Sequence, residues 1–288
     1  MAVMTKEFLH KFEASAIQGI KKVKSQNEIQ EAIEEIKEAA DEIYTNYFLS
    51  AEKLNSWILK EQLYFCRDKS TMALFYVRDE YVQVYFWSNN AESLEASLAQ
   101  ITEKLDMPLL VDVIYRDSDE GVAPLFDILN KCGFQKHMSL RRMSMVNKEL
   151  KTPDIGDIEF AQKKDAQELQ DILFQNFDVY GEQIPDIDEI ERAAENQDVI
   201  ICKKDDVIAA FLWTEHVGKT SIIRYWIARP EFRSAGIGFN VYRQTIKRES
   251  SVRRIILWVR EDNPTAIRLY TLNGFSFDGM SDDIFLRK

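Results

Sequence analysis

The chain is poor in the residues that build metal and redox sites. It has three cysteines, Cys66, Cys132 and Cys202, and three histidines, His10, His137 and His216. These stand far apart, with no C-x-x-C and no zinc-ligand spacing, so no metal site is expected. The cysteines read as small buried hydrophobes of a reducing compartment. No uncharged apolar run approaches the roughly 20 residues that a membrane helix needs. The charge-broken start, MAVMTKEFLHKFEASAIQG, has no secretory pattern. Positive charge is short as well: 37 Lys and Arg face 48 Asp and Glu, and the net charge of -11 disfavours nucleic acid or an anionic membrane as a partner. A cytoplasmic protein is the expectation. Prolines and glycines are scarce, six and ten. Where they crowd together, the backbone is being asked for something specific.

What is present describes a globular chain with helices and strands in both halves. Its 288 residues, 45% hydrophobic, suffice for one large or two medium domains. Residues 27–48 place Ile29, Ile33, Ile36, Ala40, Ile43 and Tyr47 at helical spacing with an acidic outer face, which predicts a helix packed on a core. QLYFCRD, TMALFYVRD and EYVQVYFWSN read as three successive strands. A helix (AESLEASLAQITEKL), a strand (PLLVDVIYR), a helix (APLFDILNKCG) and a strand (SLRRMSMV) follow. NKELKTPDIGD, residues 147–157, combines proline, glycine and charge without apolar period and predicts a linker between domains at 1–146 and 158–288. After it come a strand (IEFA), two helices (DAQELQDILFQNF, with Asp165 as cap, and IDEIERAAENQ) and three strands (DVIICKK, VIAAFLWTEHV, SIIRYWIA). The chain ends on helix GIGFNVYRQTIKRES, strand RRIILWVRE, helix PTAIRLYTLNG and strand DDIFLRK. The class is α/β (α+β) with a mixed sheet.

The crowded stretch is RPEFRSAGIG, residues 229–238, between a strand and a helix. A helix starting near Gly236 offers free N–H groups at the positive end of its dipole, and without Cβ at Gly236 and Gly238 an anion can approach the main chain. Arg233 adds charge. Downstream, Asn263 fits an N-cap, Pro264 the first helical position, and Ala266 and Tyr270 share a helix face. Taken together, P-x-x-R-x-x-G-x-G (230–238) and N-x-x-A-x-x-x-Y-x-x-x-G-F (263–275) resemble the core of the GNAT superfamily of acyl-CoA N-acyltransferases.

The resemblance implies a co-substrate, acetyl-CoA, and a role for each matched position. Backbone groups of Trp226, Ile227 and Ala228 would carry the pantetheine arm like an added strand. Amides of Ser234, Ala235, Gly236, Ile237, Gly238 and Phe239, with Arg233, would hold the pyrophosphate. Asn263 and Ala266 would meet the cofactor near the second helix, and Tyr270 would sit beside the sulfur. A strand N–H can polarise the thioester carbonyl, and a tyrosine of pKa near 10 can give a proton to the leaving thiolate. The expected activity is transfer of an acetyl group to a primary amine of a small molecule or peptide. The other reading is a non-catalytic acyl-CoA-binding or sensing protein, which has no need of Tyr270. The general base stays open: SIIRYWIA carries no carboxylate, where some members of the family place one, and Glu215, Glu261, Asp262 or a water chain are the candidates.

The first half echoes the second, LFDILNKCGF (125–134) against IRLYTLNGF (267–275). Its counterpart of the phosphate loop, SNNAESLEAS, lacks glycine and arginine and has Glu92 and Glu95 in the first turns; Leu129 stands where Tyr270 stands. It is expected to be a degenerate GNAT-like domain, which makes two tandem domains, each a mixed, mostly antiparallel sheet flanked by helices. Phe75, Tyr76, Tyr81, Tyr85, Phe86 and Trp87 give its strands two apolar faces, one expected against its own helices and the other against the second half. The loops expected to line the acceptor cleft hold Asp178, Glu182, Asp186, Asp188, Asp278, Asp282 and Asp283. They suit a cationic acceptor, or form a solvated acidic rim.

Overall fold

The computed structural model describes residues 6–15, 17, 19–38, 42–147 and 158–288. The expected linker, after Asn147, lies outside the described residues, as does Ala40. The chain divides into two compact units, and neither is contiguous in sequence: the first gathers the described residues up to Ser139 together with Ser281–Lys288, the second is Leu140–Met280.

The first unit holds α1 (Lys6–Glu13), β1 (Lys21–Lys22), α2 (Gln26–Glu38), β2 (Tyr44–Thr45), α3 (Ala51–Leu59), β3 (Leu63–Arg67), β4 (Thr71–Val77), β5 (Val82–Ser88), α4 (Ala91–Lys104), β6 (Leu109–Arg116), α5 (Ala123–Lys131) and the opening residues of β7 (Gln135–Val146). Its strands run in the order β1-β3-β4-β5-β6, with β2 paired to β5. Pairing is antiparallel except between β5 and β6. Every residue of β4 is buried. Ala73, Phe75 and Val77 pack against Leu94, Leu98, Ile128 and Leu129 of α4 and α5. The opposite face, Met72, Leu74 and Tyr76, packs against Ile29, Ile33 and Ile36 of α2 and Trp57 of α3. Trp57 stacks on Tyr76 at 3.9 Å. Both apolar faces are therefore covered from within the unit, which corrects the expectation that one of them awaits the second half. The long helix expected over 27–48 is also shorter. α2 ends at Glu38, and Tyr44–Thr45 pairs with β5, so Ile43 and Tyr47 are off the helix.

The second unit holds the remainder of β7, β8 (Ile158–Phe160), α6 (Ala166–Asn176), α7 (Ile187–Glu195), β9 (Val199–Lys204), β10 (Val207–Val217), β11 (Thr220–Ala228), α8 (Ile237–Arg248), β12 (Arg254–Arg260), α9 (Pro264–Leu272) and the start of β13 (Ser276–Arg287). Its order is β8-β9-β10-β11-β12-β7, antiparallel except between β11 and β12. Alternation along β11 sends Tyr225 and Ile227 into the core under α6 and α7, while Trp226 packs on the α8 side.

Two segments have changed places relative to the boundaries read from sequence. SLRRMSMV, read as the end of the first domain, contributes residues 140–146 to the second unit, pairing with β12 from Arg260↔Leu140 to Arg254↔Val146. Asn147, the expected first linker residue, is bonded there too, its side chain donating to the Glu249 and Val252 carbonyls. DDIFLRK, read as the last strand of the second domain, belongs to the first unit. Phe285 sits in that unit's core, and Arg287 donates to the Leu105 carbonyl at 2.5 Å. A strand joins whichever edge offers it free backbone groups and a matching apolar face, and chain order does not enter.

Candidate active site

The site begins where two parallel strands part. β11 pairs with β12 only from Thr220↔Arg254 to Ile223↔Leu257. Beyond that point β11 keeps its bonds to β10 up to Ala210↔Ala228, and β12 keeps its bonds to β7 up to Arg260↔Leu140. A register shift in β10 between Trp213 and Thr214 accompanies the divergence. The facing edges of residues 224–228 and 258–260 thus have no ladder between them. A cavity of about 330 Å³ occupies the gap, walled by Tyr225 and Trp226 on one side and by Trp258, Val259 and Arg260 on the other. Asn176, Asp178 and Glu182 close it from the α6–α7 connection, and Asn263, Ala266 and Tyr270 from the start and face of α9.

At the far end of β11 the chain turns through a 3-10 helix, Pro230–Ala235, into Gly236 at φ +66°. That left-handed conformation is where glycine is favoured. Gly236 is the N-cap of α8 and supplies no side-chain acceptor, and no acidic residue occupies the first turn. The first intrahelical bonds run from Phe239 and Asn240 to the Gly236 carbonyl, both 3.1 Å. The Ile237 and Gly238 amides precede them and have no backbone partner among the described residues; those of Gly236, bonded to the Arg233 carbonyl at 3.4 Å, and of Phe239 are already used, which narrows the set expected from sequence. Gly238 has a steric reason as well: a Cβ there would lie 2.9 Å from the Ala228 Cβ. The Trp226 indole donates to the Gly238 carbonyl at 2.9 Å, so α8 starts directly against the end of β11. Arg233 donates through Nε to the Ala228 carbonyl at 3.2 Å and is otherwise exposed. The side chains of Ser234 and Ala235 lie outside the described residues.

Asn263 caps α9, its Oδ1 accepting from the Ala266 amide at 3.0 Å. One helical turn on, Tyr270 is half-buried between Trp226, centroids 5.6 Å apart, and Phe275, 6.2 Å. Burial and then the Glu182 charge push the Tyr270 hydroxyl up to about 12. Burial likewise pushes Glu182 up to about 7, against the pull of Arg260 and with the help of Asp178. A carboxyl titrating near neutrality therefore shares the cavity with a phenol held firmly protonated.

The residues considered for the general base fall elsewhere. Glu215 is engaged with Arg224 at 2.7 Å and does not line the cavity. Glu261 is exposed, 3.5 Å from Arg141. Asp262 is gripped by Arg260 through two bonds of 2.9 and 2.8 Å, which lower its pKa. The acidic cluster expected around the acceptor also disperses. Asp186 caps α7, Asp188 is exposed, and Asp278 is paired with Arg142 and Arg254. Asp282 and Asp283 are buried in the first unit. Of the seven carboxylates, Asp178 and Glu182 reach this cavity. Nothing local in the sequence sets Glu182 apart, because its burial comes from the folding of the loop that carries it.

Residues 166–275 match the family model described as Acetyltransferase (GNAT) family, and a GNAT domain occupies that segment. The whole chain is similar in fold to a GCN5-related N-acetyltransferase from Sphaerobacter thermophilus (TM-score 0.59, 14% identity, covering 90% of this chain and 91% of that one). It is similar too to an acetyltransferase of the GNAT family from Colwellia psychrerythraea (0.53, 11%, 93% and 99%). A tandem GNAT protein from the clavulanic acid biosynthesis pathway shares the fold (0.52, 10%, 78% and 81%). No curated protein sequence matches the chain. The structural likeness is one of fold, and it extends over the first unit as well as the second.

Proposed function

We propose that the GNAT domain at residues 166–275 transfers an acyl group, acetyl in the first instance, from acyl-CoA to a primary amine. The observation that supports this most is the gap between β11 and β12: the cavity holding Tyr270 fills it, and β11 runs on from there into the turn that starts α8 at Gly236. The donor set fits acyl-CoA. A free β edge offers amides and carbonyls to a pantetheine amide, and an uncapped helix start without acidic residues suits a pyrophosphate.

Bound acyl-CoA supplies a thioester carbonyl open to nucleophilic attack. Trp226, Ile227 and Ala228 hold the pantetheine arm through their backbone, and an N–H of that edge polarises the carbonyl. The Ile237 and Gly238 amides, with the Arg233 guanidinium, neutralise the phosphates. Asn263 and Ala266 shape the wall beside the arm. Tyr270 gives its hydroxyl proton to the departing sulfur; burial keeps that proton in place until a thiolate asks for it. A passive acyl-CoA binder would not need the hydroxyl.

Calorimetric titration with acetyl-CoA is the first test, and one site per chain is expected. Thiol release from acetyl-CoA in the presence of primary amines is the second. Absence of acetyl-CoA binding would sink the reading; binding without thiol release would leave a binder.

A further inference from the structure

We infer that Glu182 is the catalytic base, taking the proton of the acceptor amine inside the cavity that also holds Tyr270. This rests on the acyl-transfer reading above. An alkyl amine arrives as an ammonium ion at neutral pH and cannot attack until a proton leaves. Among the described residues that line the cavity, Glu182 is the carboxylate not engaged by a hydrogen bond and so placed to receive it.

The connection between α6 and α7 is built so as to present this side chain. The Glu182 amide donates to the Asp178 carbonyl at 2.9 Å. Asp178 Oδ1 accepts from the Tyr180 and Gly181 amides at 3.1 and 2.7 Å, closing a tight turn just before it. The Tyr225 hydroxyl donates to the Glu182 carbonyl at 2.9 Å, fixing the loop to β11. Gln183 then takes φ +46°, and Ile184 plunges into the α6–α7 core. The Glu182 backbone is held on both sides, which fixes the point on the cavity wall from which its side chain starts. That carboxylate accepts no hydrogen bond from the described residues. The other acids near the cavity are engaged, Asp178 by its own loop and Asp262 by Arg260. Facing Glu182 are Asp178 in its own loop, Arg224 and Tyr225 on β11, Arg260 on β12, Asp262 after it, and Tyr270 on α9. Arg224 is itself neutralised by Glu189 at 2.5 Å and Glu215 at 2.7 Å, which leaves Arg260 as the cation that acts on Glu182. A base titrating near 7 is matched to work at neutral pH.

The step balances without any further reactant. Glu182 takes one proton from the ammonium, the nitrogen forms its bond to the acyl carbon, and the carbon–sulfur bond breaks. Tyr270 donates its proton to sulfur. The second proton lost by the nitrogen restores the phenol, and Glu182 returns its own to solvent. The products are an amide, a free thiol and one proton.

The test uses Glu182→Gln and Glu182→Asp with acetyl-CoA and three amines, spermidine, tyramine and glucosamine, with hydroxylamine as a nucleophile already neutral at pH 7. Acetyl-CoA affinity should be unchanged in E182Q. Turnover with an accepted alkyl amine should fall roughly 10²–10⁴-fold, with hydroxylamine affected far less and E182D partly restored. Wild-type kcat/KM should rise with pH through about 7, and that limb should vanish in E182Q. A readout free of any acceptor comes from thermal melting. A carboxyl whose pKa is raised by folding binds more protons folded than unfolded, so wild-type stability should decline between about pH 4.5 and 7 relative to E182Q. Full turnover in E182Q, or a melting difference independent of pH, would overturn the assignment. Acetyl-CoA binding with no thiol release from any amine would overturn both this and the transfer reading; no acetyl-CoA binding would overturn the reading on which it rests.

Discussion

The two units share a turn and differ in its chemistry. In the second unit α9 ends on Gly274 at φ +90°, with the Phe275 amide bonded to the Tyr270 carbonyl at 3.1 Å. In the first, α5 ends on Gly133 at φ +84°, with the Phe134 amide bonded to the Leu129 carbonyl at 3.0 Å. The backbone is the same, and it sets Leu129 where the other unit has Tyr270. Leu129 is fully buried in the core of its unit. The helix starts differ in the same sense. α8 begins on Gly236 with no cap; α4 begins on Asn90, whose side chain accepts from the Ser93 amide at 2.8 Å, with Glu92 in the first turn. Even the parting of parallel strands recurs, since β5 and β6 pair only at Val82↔Leu109 and Gln83↔Leu110. Just past that point the Gln83 amide donates to Asp112 Oδ2 at 2.7 Å and ties the strands together by side chains. The fold supplies a strand gap, a helix start and a helix face; capping, bridging and an apolar residue turn all three into structure. Function in this chain is a matter of what was left open.

The sharpest way to break that comparison is at the tyrosine. Tyr270→Phe should lower kcat roughly 10²–10⁴-fold while acetyl-CoA affinity stays the same, because the hydroxyl acts on a thiolate that exists only late in the reaction. Leu129→Tyr should create no activity and should destabilise the first unit by ~1–3 kcal/mol through overpacking. Single-turnover thiol release and chemical denaturation measure the two. Full activity in the phenylalanine variant would mean another proton donor serves the sulfur.

Next in size is the helix start. Valine at Gly238 would drive a Cβ against that of Ala228, already 2.9 Å away before any branching is added. α8 must then move off β11, and a distortion of ~1–3 kcal/mol corresponds to roughly a 10–100-fold loss of acetyl-CoA affinity. Calorimetry should report this loss with one site per chain before and after. An unaltered dissociation constant would remove α8 from the binding site.

These contrasts track what could be read beforehand. The two glycines, Arg233, Asn263 and Tyr270 were legible because their spacing is local: each is set by one turn or one helix face. The missing glycines in SNNAESLEAS were legible for the same reason. The ownership of 140–146 and 281–288 was not, since either strand has an apolar pattern that would suit either edge. Glu182 stood among seven acids with no mark upon it, and only the Tyr225 bond and the Asp178 turn place it in the cavity. The cover of β4 was not legible either, because it depends on a tertiary contact, Trp57 of α3 stacking on Tyr76, that no local spacing announces.

A pH-dependent contrast comes third. Asp282 is buried in the first unit, where burial, Asp112 and Asp283 hold its pKa well above the usual carboxylate range. Folding favours its neutral form, so it contributes stability at low pH that is lost as pH rises above its unfolded value. Asp282→Asn, neutral throughout, should therefore match wild type near pH 4 and exceed it increasingly toward pH 8 in thermal melts. Acetyl-CoA affinity should not change. A stability difference that is the same at every pH would show that folding does not raise the pKa of this carboxyl.

The smallest expected effect tests the cap itself. Asn90→Ala removes the acceptor for the Ser93 amide at the start of α4, and loss of such a cap costs ~1 kcal/mol. The variant should unfold at a slightly lower denaturant concentration with the same slope. Acetyl-CoA binding should remain at one site, for opening one amide does not make an anion site. Glu92 still opposes a phosphate in the first turn, and the Gln83–Asp112 bridge still ties the strands where the pantetheine arm would lie. The additional change Glu92→Gln removes that charge and should bring no second site either. A second acetyl-CoA bound to the doubly substituted chain would show that capping and charge alone had closed the first unit, and that its bridged strands part more readily than their buried hydrogen bond implies.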